Sequence, residues 1–321
     1  MKEVLRNVGD LSRLREVAGS RELYLALTDD VTDIGPLAEL RELRKLTLLG
    51  AKVRDLAPLR ALTELNQLDI QLCGAPDLAP LEGLTKLEEL SLGPAHADLA
   101  PLEGLTSLKE LGLVSTKVSN LAPVAQMTRL SALYAQKSAI RDLSPLSGLG
   151  SLRVLALEGT QVTDLAPLAA LDALTELDVS RTKIASLAPL ANLVGMQDLR
   201  VSRNKKVKDL TPLAGMQNLR VLHCAATAVA DLTPLTGLTQ LSTVELTGSP
   251  VSDVTPLLGS WLRLEYLFLG KTRVSDLMPL HGRCPRLKHL DIRKTPVPYD
   301  NYADFVDDLG LHADIKTDHP L

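Results

Sequence analysis

Residues 149–168 read LGSLRVLALEGTQVTDLAPL, and close copies of this segment recur along most of the chain. The proline of its DLAPL end returns every 21 to 23 residues, at positions 36, 58, 80, 101, 123, 145, 167, 189, 212, 234, 256 and 279. A fixed period of this length indicates a solenoid, because one such unit buries its apolar face only against its neighbours. The period therefore predicts one elongated domain, and it favours binding over catalysis because a solenoid offers an extended surface.

The quoted unit divides into a short strand, a turn and a return segment. Leu155 and Leu157 alternate with outward-facing residues, as in a half-buried strand. A turn leads to Val162, and residues 164–168 bring the chain back to the next unit. Strands that recur once per unit are parallel, and paired apolar residues predict about thirteen of them, from Leu25/Leu27 to Leu290/Ile292.

The repeat pattern L-x-x-L-x-L-x-x-(N/T/S/C)-x-(V/I)-x-D-L-x-P-L resembles that of the leucine-rich repeat family over residues 8–298. Its return segment is most similar to the internalin-type and phosphatase-regulator-type repeats of 22 residues. The resemblance implies an α/β-type solenoid, a horseshoe with a concave parallel β-sheet and short helical or irregular convex segments. It also implies a protein-binding surface on the concave face.

Two columns of polar residues recur at fixed positions of the repeat. Thr or Ser usually occupies the position after the strand where the family places an inward-pointing Asn, and we expect these hydroxyls to bond the turn backbone. Cys73 falls in the same column, and Asn204 is its only Asn. An Asp three residues before most of the prolines is predicted to cap the helical turn that follows, rather than to bind calcium.

The ends of the array depart from the pattern. We predict the repeat array over residues 1–298, with a degenerate first repeat at 1–22, and a C-terminal cap at 299–321. Tyr302, Phe305, Val306 and Leu309 share one face of a predicted helix in this cap, and a polar tail follows. At the N-terminus, either the first repeat caps itself with polar residues or the chain continues upstream, and the second interpretation is favoured.

Composition excludes several classes of function. The net charge is −4 with a pI of about 5.9, so the chain lacks the basic stripe typical of nucleic-acid binding. No apolar run reaches the roughly 20 residues that span a bilayer. The three cysteines, Cys73, Cys224 and Cys284, are far apart and odd in number, which favours a reducing compartment. We therefore predict a cytoplasmic protein without membrane or nucleic-acid partners.

Catalytic patterns are absent from the sequence. It contains no P-loop, no H-E-x-x-H, no G-x-S-x-G and no C-x-x-C, and its six histidines have no metal-ligand spacing. We expect no enzymatic activity, no cofactor and no metal.

Candidate binding residues follow from the positions between the core leucines, since their side chains point to the concave face. The middle of the array is acidic and has basic residues at its border, whereas two aromatics and basic residues meet near the C-terminal end. Such aromatics have the composition of a binding hot spot, unless they pack against the C-terminal cap. The candidates are Tyr134, Glu158, Glu176, Asp178, Asp198, Arg200, His223, Glu245, Tyr266, Phe268, His289 and Arg293.

The sequence thus predicts a non-enzymatic scaffold that binds a protein partner on its concave face. Two alternatives remain. The chain is a ligand-sensing module of a larger immune or signalling protein, or it is a secreted virulence or adhesion protein, as the resemblance to internalins implies.

Overall fold

The computed structural model describes residues 2–17, 19–50, 52–72, 77–260, 262–298, 300–301 and 314–318. The chain divides into two compact units, Met1–Thr160 and Gln161–Leu321, here called unit 1 and unit 2. The predicted cap helix at Tyr302–Leu309, as well as Cys73, falls outside the described residues.

Unit 1 contains eight strands, and a return segment with a 3₁₀ helix follows each of the first seven. Each of the first seven strands pairs in parallel with the next one along the chain. The strands are β1 Lys2–Val8, β2 Glu22–Leu27, β3 Lys45–Gly50, β4 Gln67–Leu72, β5 Glu89–Leu92, β6 Glu110–Gly112, β7 Ala132–Tyr134 and β8 Val154–Ala156. The described 3₁₀ helices are Ser12–Val17, Gly35–Glu39, Ala57–Ala61, Ala79–Leu81, Ala100–Leu102, Ala122–Gln126 and Ser144–Leu146.

Unit 2 repeats the same arrangement with seven strands, again paired in parallel in chain order. The strands are β9 Glu176–Asp178, β10 Asp198–Arg200, β11 Val221–His223, β12 Thr243–Glu245, β13 Tyr266–Phe268, β14 His289–Asp291 and β15 Asp314–Lys316. The described 3₁₀ helices are Ala166–Leu168, Ala188–Leu190, Thr211–Leu213, Thr233–Leu235, Thr255–Ser260 and Met278–Leu280. The predicted solenoid of parallel strands is confirmed.

The interior consists of aliphatic side chains that recur at the same positions in successive repeats. In the repeat quoted above, Leu155, Leu157, Val162 and Leu168 are all fully buried. Leu155 lies beside Leu133 in the register of β7 and β8, and Leu133 lies beside Leu111 in that of β6 and β7. Equivalent leucines therefore stack along the unit, and each repeat is stabilised by burial against its neighbours.

Two features of the strands differ from the prediction. In β2 the buried pair is Leu23 and Leu25, not Leu25 and Leu27, because the turn after β2 is one residue longer than in the next repeat and Leu25 lies beside Leu48. Two further strands, β1 in unit 1 and β15 in unit 2, raise the count from about thirteen to fifteen in the described residues. Neither has the leucine pair followed by the proline that identified the other strands.

The Thr and Ser side chains after the strands form hydrogen bonds with the turn backbone, as expected. Their hydroxyls act mainly as donors to backbone carbonyl oxygens. The Thr160 hydroxyl donates to the carbonyl oxygen of Leu157 at 2.8 Å, and buried Thr or Ser at 116, 138, 182, 227 and 272 makes the same bond three residues back. Asn204 instead donates to two carbonyl oxygens, those of Val179 at 2.8 Å and Val201 at 3.0 Å. A buried carbonyl that turns away from the sheet ladder thus receives a partner.

The Asp column organises the start of each 3₁₀ helix, with a geometry that differs slightly from an N-cap. The Asp164 Oδ1 atom accepts a hydrogen bond from the amide of Ala166 at 2.8 Å, two residues further on. The helix begins at Ala166, so Leu165 is the N-cap residue and Asp164 precedes it. This is an Asx turn, which fixes the chain direction into the helix. The bond to the amide two residues on recurs at Asp33, Asp55, Asp77, Asp98, Asp142, Asp209, Asp231, Asp253 and Asp276.

His96 lies at a core position that other repeats fill with Val or Ile. It stands three residues before Leu99, as Val118 stands three before Leu121, because this repeat is one residue shorter. The side chain is buried and its Nε2 atom has no hydrogen-bond partner. Burial lowers the pKa of His96, since the charged imidazolium loses its hydration.

We expect the His96→Val variant to lose less stability in acid than the parent. The unfolded chain takes up a proton at His96 below about pH 6.5, whereas the folded chain resists it, so His96 lowers stability as the pH falls through that value. Between pH 7.5 and pH 5.0 this costs the parent up to about 2 kcal/mol. Urea unfolding of both proteins at the two pH values measures the difference, and parallel pH dependences would contradict the assignment.

Candidate functional site

Two rows of outward-facing side chains cross unit 2, each taking one residue per strand. The strand register sets their order, since each residue lies beside its equivalent on the next strand. We call this outward side of the sheet the strand face. The first row is Glu176, Asp198, Val221, Thr243, Tyr266, His289 and Asp314, and the second is Asp178, Arg200, His223, Glu245, Phe268, Asp291 and Lys316.

The acidic part of the strand face in unit 2 is partly neutralised by its own arginine. Arg200 donates to both carboxylate oxygens of Asp198, from Nε at 2.9 Å and from a terminal nitrogen at 2.8 Å. This bond, with the charges of Asp198, Asp178 and Glu176, raises the pKa of Arg200. Asp178 accepts the amide of Ser180 at 2.9 Å. One arginine therefore meets three carboxylates, and the patch keeps a negative balance.

His223 and Glu245 are neighbours in the second row, with Nδ1 and Oε2 3.4 Å apart. Burial lowers the pKa of His223, and Arg200 acts in the same direction, while Glu245 opposes them. The imidazole is thus neutral near pH 7. The pair presents a polar surface in which Glu245 carries the charge.

The predicted aromatic pair lies at the C-terminal end of the face. Tyr266 is 38% exposed, and the Lys288 ammonium lies 5.9 Å from its ring centroid. The Phe268 ring centre lies 4.9 Å from that of His289, which is bonded to Asp314 through Nδ1 at 2.8 Å. The structure therefore brings Tyr266, Phe268 and His289 together, and holds His289 between the Phe268 ring, tilted by 40° to it, and the Asp314 carboxylate.

Arg293 folds back onto Asp291 instead of extending from the surface. Its side-chain nitrogens lie 2.9 and 2.6 Å from the two carboxylate oxygens, and its amide adds a bond of 3.0 Å. These bonds lower the pKa of Asp291 and raise that of Arg293. Sequence reasoning selected Arg293 but missed Asp291, Lys288 and Asp314. The cross-strand register would have indicated Asp314 only if β15 had been recognised.

The remaining predicted residues, Tyr134 and Glu158, lie in unit 1. Tyr134 ends β7, and Glu158 follows β8, where its carbonyl oxygen accepts the Lys137 amide at 2.7 Å. Tyr134 also closes one end of an open cavity of about 460 Å³ on the strand face of unit 1. Its other lining residues include Glu22, Tyr24, Glu89 and Glu110, none of which sequence reasoning chose as a site.

The described residues include two cysteine thiols, and a metal ion would require a group of their His, Cys, Asp or Glu side chains. Burial raises the pKa of the Cys224 and Cys284 thiols to about 12 each, so neither is a nucleophile at neutral pH. No group of three His, Cys, Asp or Glu side chains in the described ranges could hold a metal ion. None of the helices described is both long and apolar enough to cross a bilayer.

Comparison with known proteins identifies relatives at the level of structure. No protein-family model and no curated protein sequence matches the chain. An internalin of Listeria monocytogenes, the product of inlF, superposes with a TM-score of 0.82 at 26% identity, over 96% of this chain and 89% of that one. Internalin C2 of the same organism is 30% identical, with a TM-score of 0.53 over 57% of this chain and 79% of that one.

More distant structures share the fold. A leucine-rich repeat protein of Leptospira interrogans superposes with a TM-score of 0.78 at 18% identity, over 97% of this chain and 93% of that one.

Proposed function

This chain belongs to the leucine-rich repeat family with internalin-type repeats, and from that premise we propose that it is a non-enzymatic scaffold that binds a protein partner on its strand face. The family is one of protein-interaction modules. The observation that carries the proposal is the cluster of Tyr266, Phe268 and His289. Two adjacent aromatics on a face of mostly polar residues provide the apolar centre that a protein interface needs.

The surroundings of the cluster support the same function. Tyr266 is exposed although its neighbour Leu267 is fully buried, so the tyrosine ring does not serve the core. Phe268 and His289 are held against each other before any partner arrives. Side chains that are already ordered lose less conformational entropy on binding, which raises affinity. Paired charges such as Arg200 with Asp198 would form the polar rim around this centre.

We expect the variant Tyr266→Ala/Phe268→Ala/Asp178→Arg to bind the protein partner at least about 30-fold more weakly, since a hot-spot aromatic contributes 2 kcal/mol or more. Capture from a native lysate by parent and variant, with quantification by mass spectrometry, identifies a partner that depends on this face. Titration of that purified partner then gives the two dissociation constants.

A matched control removes exposed apolar side chains elsewhere. Val194 is 56% exposed and Met278 is 44% exposed, and both lie outside the strands. The variant Val194→Ala/Met278→Ala should bind like the parent. Equal affinity of all three proteins for every captured partner, with circular dichroism showing intact folds, would refute binding through the strand face.

A second candidate is a secreted adhesion or virulence protein. The similarity to two Listeria internalins favours it. Against it, Cys224 and Cys284 are buried free thiols, which supports our proposal of a cytoplasmic, reducing location. Immunodetection in fractionated native cells distinguishes the two, because only the adhesion candidate places the protein outside the cell.

A further inference from the structure

A trough crosses the strand face of unit 1 between two tyrosines. In the register of β2 to β7, the residues beside one another are Tyr24, Thr47, Asp69, Ser91, Gly112 and Tyr134. The four central side chains are small, and a Cβ atom at Gly112 would approach the Ser91 Oγ atom to 2.8 Å. The four central side chains therefore extend less far from the sheet than the tyrosine rings at the two ends, and this difference creates the cavity described above.

The length of the trough suits an extended peptide. Five strand-to-strand steps of about 4.8 Å place the two tyrosines about 24 Å apart along the sheet. A fully extended chain advances about 3.3 Å per residue, so about seven residues fit between the rings. Such a peptide would run across the strands, over Thr47, Ser91 and Gly112.

The trough is acidic. Its lining includes Glu22, Asp69, Glu89 and Glu110 but only one basic residue, Lys45, which gives four negative charges against one positive, or a net charge of −3. Among the described residues, Glu89 and Glu110 form no salt bridge. Two nearby lysines form salt bridges with glutamates that do not line the trough: Lys86 with Glu64 at 2.6 Å and Lys109 with Glu88 at 2.9 Å.

This charge pattern contrasts with that of unit 2. There Arg200 binds Asp198, and Arg293 binds Asp291, so two carboxylates of that face already have arginine partners. The two adjacent carboxylates at Glu89 and Glu110 belong to neighbouring strands and point to the same side of the sheet. Their mutual repulsion falls when a cation binds between them, which favours a positively charged ligand.

The tyrosines complement cationic side chains as well. The Arg6 guanidinium carbon lies 5.9 Å from the Tyr24 ring centroid, within the range of a cation–π contact. This contact within the chain shows that a guanidinium group packs on the ring at this end, where an Arg of the peptide would replace Arg6. Tyr134 lines the other end of the trough.

We propose that the strand face of unit 1 between Tyr24 and Tyr134 binds an extended segment of a partner protein that is rich in Lys or Arg. The inference rests on the proposed function, since it gives the chemistry of a partner that binds the strand face. The shape of the trough favours an extended conformation of the partner segment, and the net charge of −3 favours a segment of positive charge. The tyrosine rings favour Arg at the two ends of the segment.

The test uses two labelled heptapeptides of alternating sequence, Arg-Ser-Lys-Ser-Lys-Ser-Arg and its acidic counterpart Glu-Ser-Glu-Ser-Glu-Ser-Glu. Fluorescence anisotropy with the full chain at low salt should show binding of the basic peptide only. The affinity should fall steeply as salt is added, because the attraction is electrostatic and solvent-exposed.

Paired variants locate the site. Glu89→Gln/Glu110→Gln keeps the shape of both side chains and should weaken basic-peptide binding about tenfold or more. The control Glu64→Gln/Glu88→Gln removes the same charge from neighbouring repeats and should change the affinity less than about twofold. Equal losses in both variants, or none in the first, would overturn the proposal, as would equal binding of the acidic peptide.

A charge-reversal variant distinguishes a loss of binding caused by charge from one caused by unfolding. Glu89→Lys/Glu110→Lys should exchange the preference and bind the acidic peptide, which an unfolded protein cannot do selectively. Concentration-dependent dimerisation that the basic peptide does not displace would identify a second copy of the chain as the occupant instead, and would overturn the proposal. If peptide binding fails while partner capture still depends on Tyr266, the trough proposal is refuted and the proposed function stands. If the basic peptide binds while no captured partner depends on Tyr266, the proposed binding site at Tyr266 is refuted and the trough stands.

Discussion

Replacing Asn204 with Ala should lower the free energy of unfolding by about 2 kcal/mol, since it removes the two buried hydrogen bonds that Asn204 donates, worth about 1 kcal/mol each. The Asn204 side chain is 2% exposed. Its Nδ2 atom donates to the carbonyl oxygens of Val179 and Val201. Its Oδ1 atom lies 3.0 Å from the Thr182 hydroxyl, whose one hydrogen is shared with the Val179 carbonyl at 2.7 Å. The side chain thus links two consecutive repeats as well as closing its own turn.

The two carbonyls that Asn204 bonds lie in different repeats. Val201 follows β10 of its own repeat, and Val179 follows β9 of the preceding one. The turn is also longer here, since two residues lie between Asn204 and the buried Val207, whereas one lies between Thr182 and the buried Ile184. A Thr hydroxyl has only one hydrogen to donate, so it cannot serve both carbonyls. Asn204→Thr should therefore lose about half as much stability as Asn204→Ala, because it keeps one of the bonds.

Urea unfolding monitored by circular dichroism measures these losses. Asn218→Ala provides a matched control, because Asn218 is exposed and makes only a long contact of 3.5 Å to the Val194 carbonyl. Its free energy of unfolding should stay within about 0.5 kcal/mol of the parent. An Asn204→Ala protein as stable as this control would show that the bonds across the repeats contribute nothing.

The second large effect is expected at the centre of the core of unit 2. Leu199 is fully buried in β10, between Leu177 on β9 and Leu222 on β11. Leu199→Ala should cost about 3 kcal/mol, within the usual 2 to 5 kcal/mol for Leu to Ala at a buried site. The neighbouring leucines are held by their own strands, so they cannot move far to fill the cavity.

Leu262 offers the same chemical change without burial, since it is 72% exposed. Leu262→Ala should alter the free energy of unfolding by less than about 0.5 kcal/mol. Thermal and urea unfolding of both variants decide the matter. Similar losses at Leu199 and Leu262 would mean that the stacked leucines are not the source of stability in this unit.

Much of the repeat architecture followed from spacing alone. Leu155 and Leu157 had to be buried because their equivalents recur in every unit and only stacked repeats can cover them. The Asp column was correctly linked to the helical turns, although the bond is an Asx turn one residue ahead of the N-cap. The prediction that Leu27 is one of the buried pair in β2 was wrong, because the turn after this strand is one residue longer. The repeat period alone does not show whether an extra residue lies before or after a strand.

The candidate site was predictable only in part. The outward positions of Tyr266 and Phe268 follow from strand alternation, so both were found. Asp314 was missed because β15 contains only Asp-Ile-Lys and lacks the leucine pair of the other strands. The tilted ring contact between Phe268 and His289 depends on side-chain conformations that the sequence does not record.

The sequence by itself determined the solenoid, the parallel strands and the two faces of each strand, because all three follow from a period that every repeat shares. Only the tertiary structure decided how the charges on the strand face are used. Arg200 and Arg293 turn back to acids two residues away, whereas Glu89 and Glu110, beside the low part of the trough at Gly112, form no ion pair with any residue that the structure describes. Local ion pairing and side-chain height vary from repeat to repeat, and a shared period carries no information about such differences.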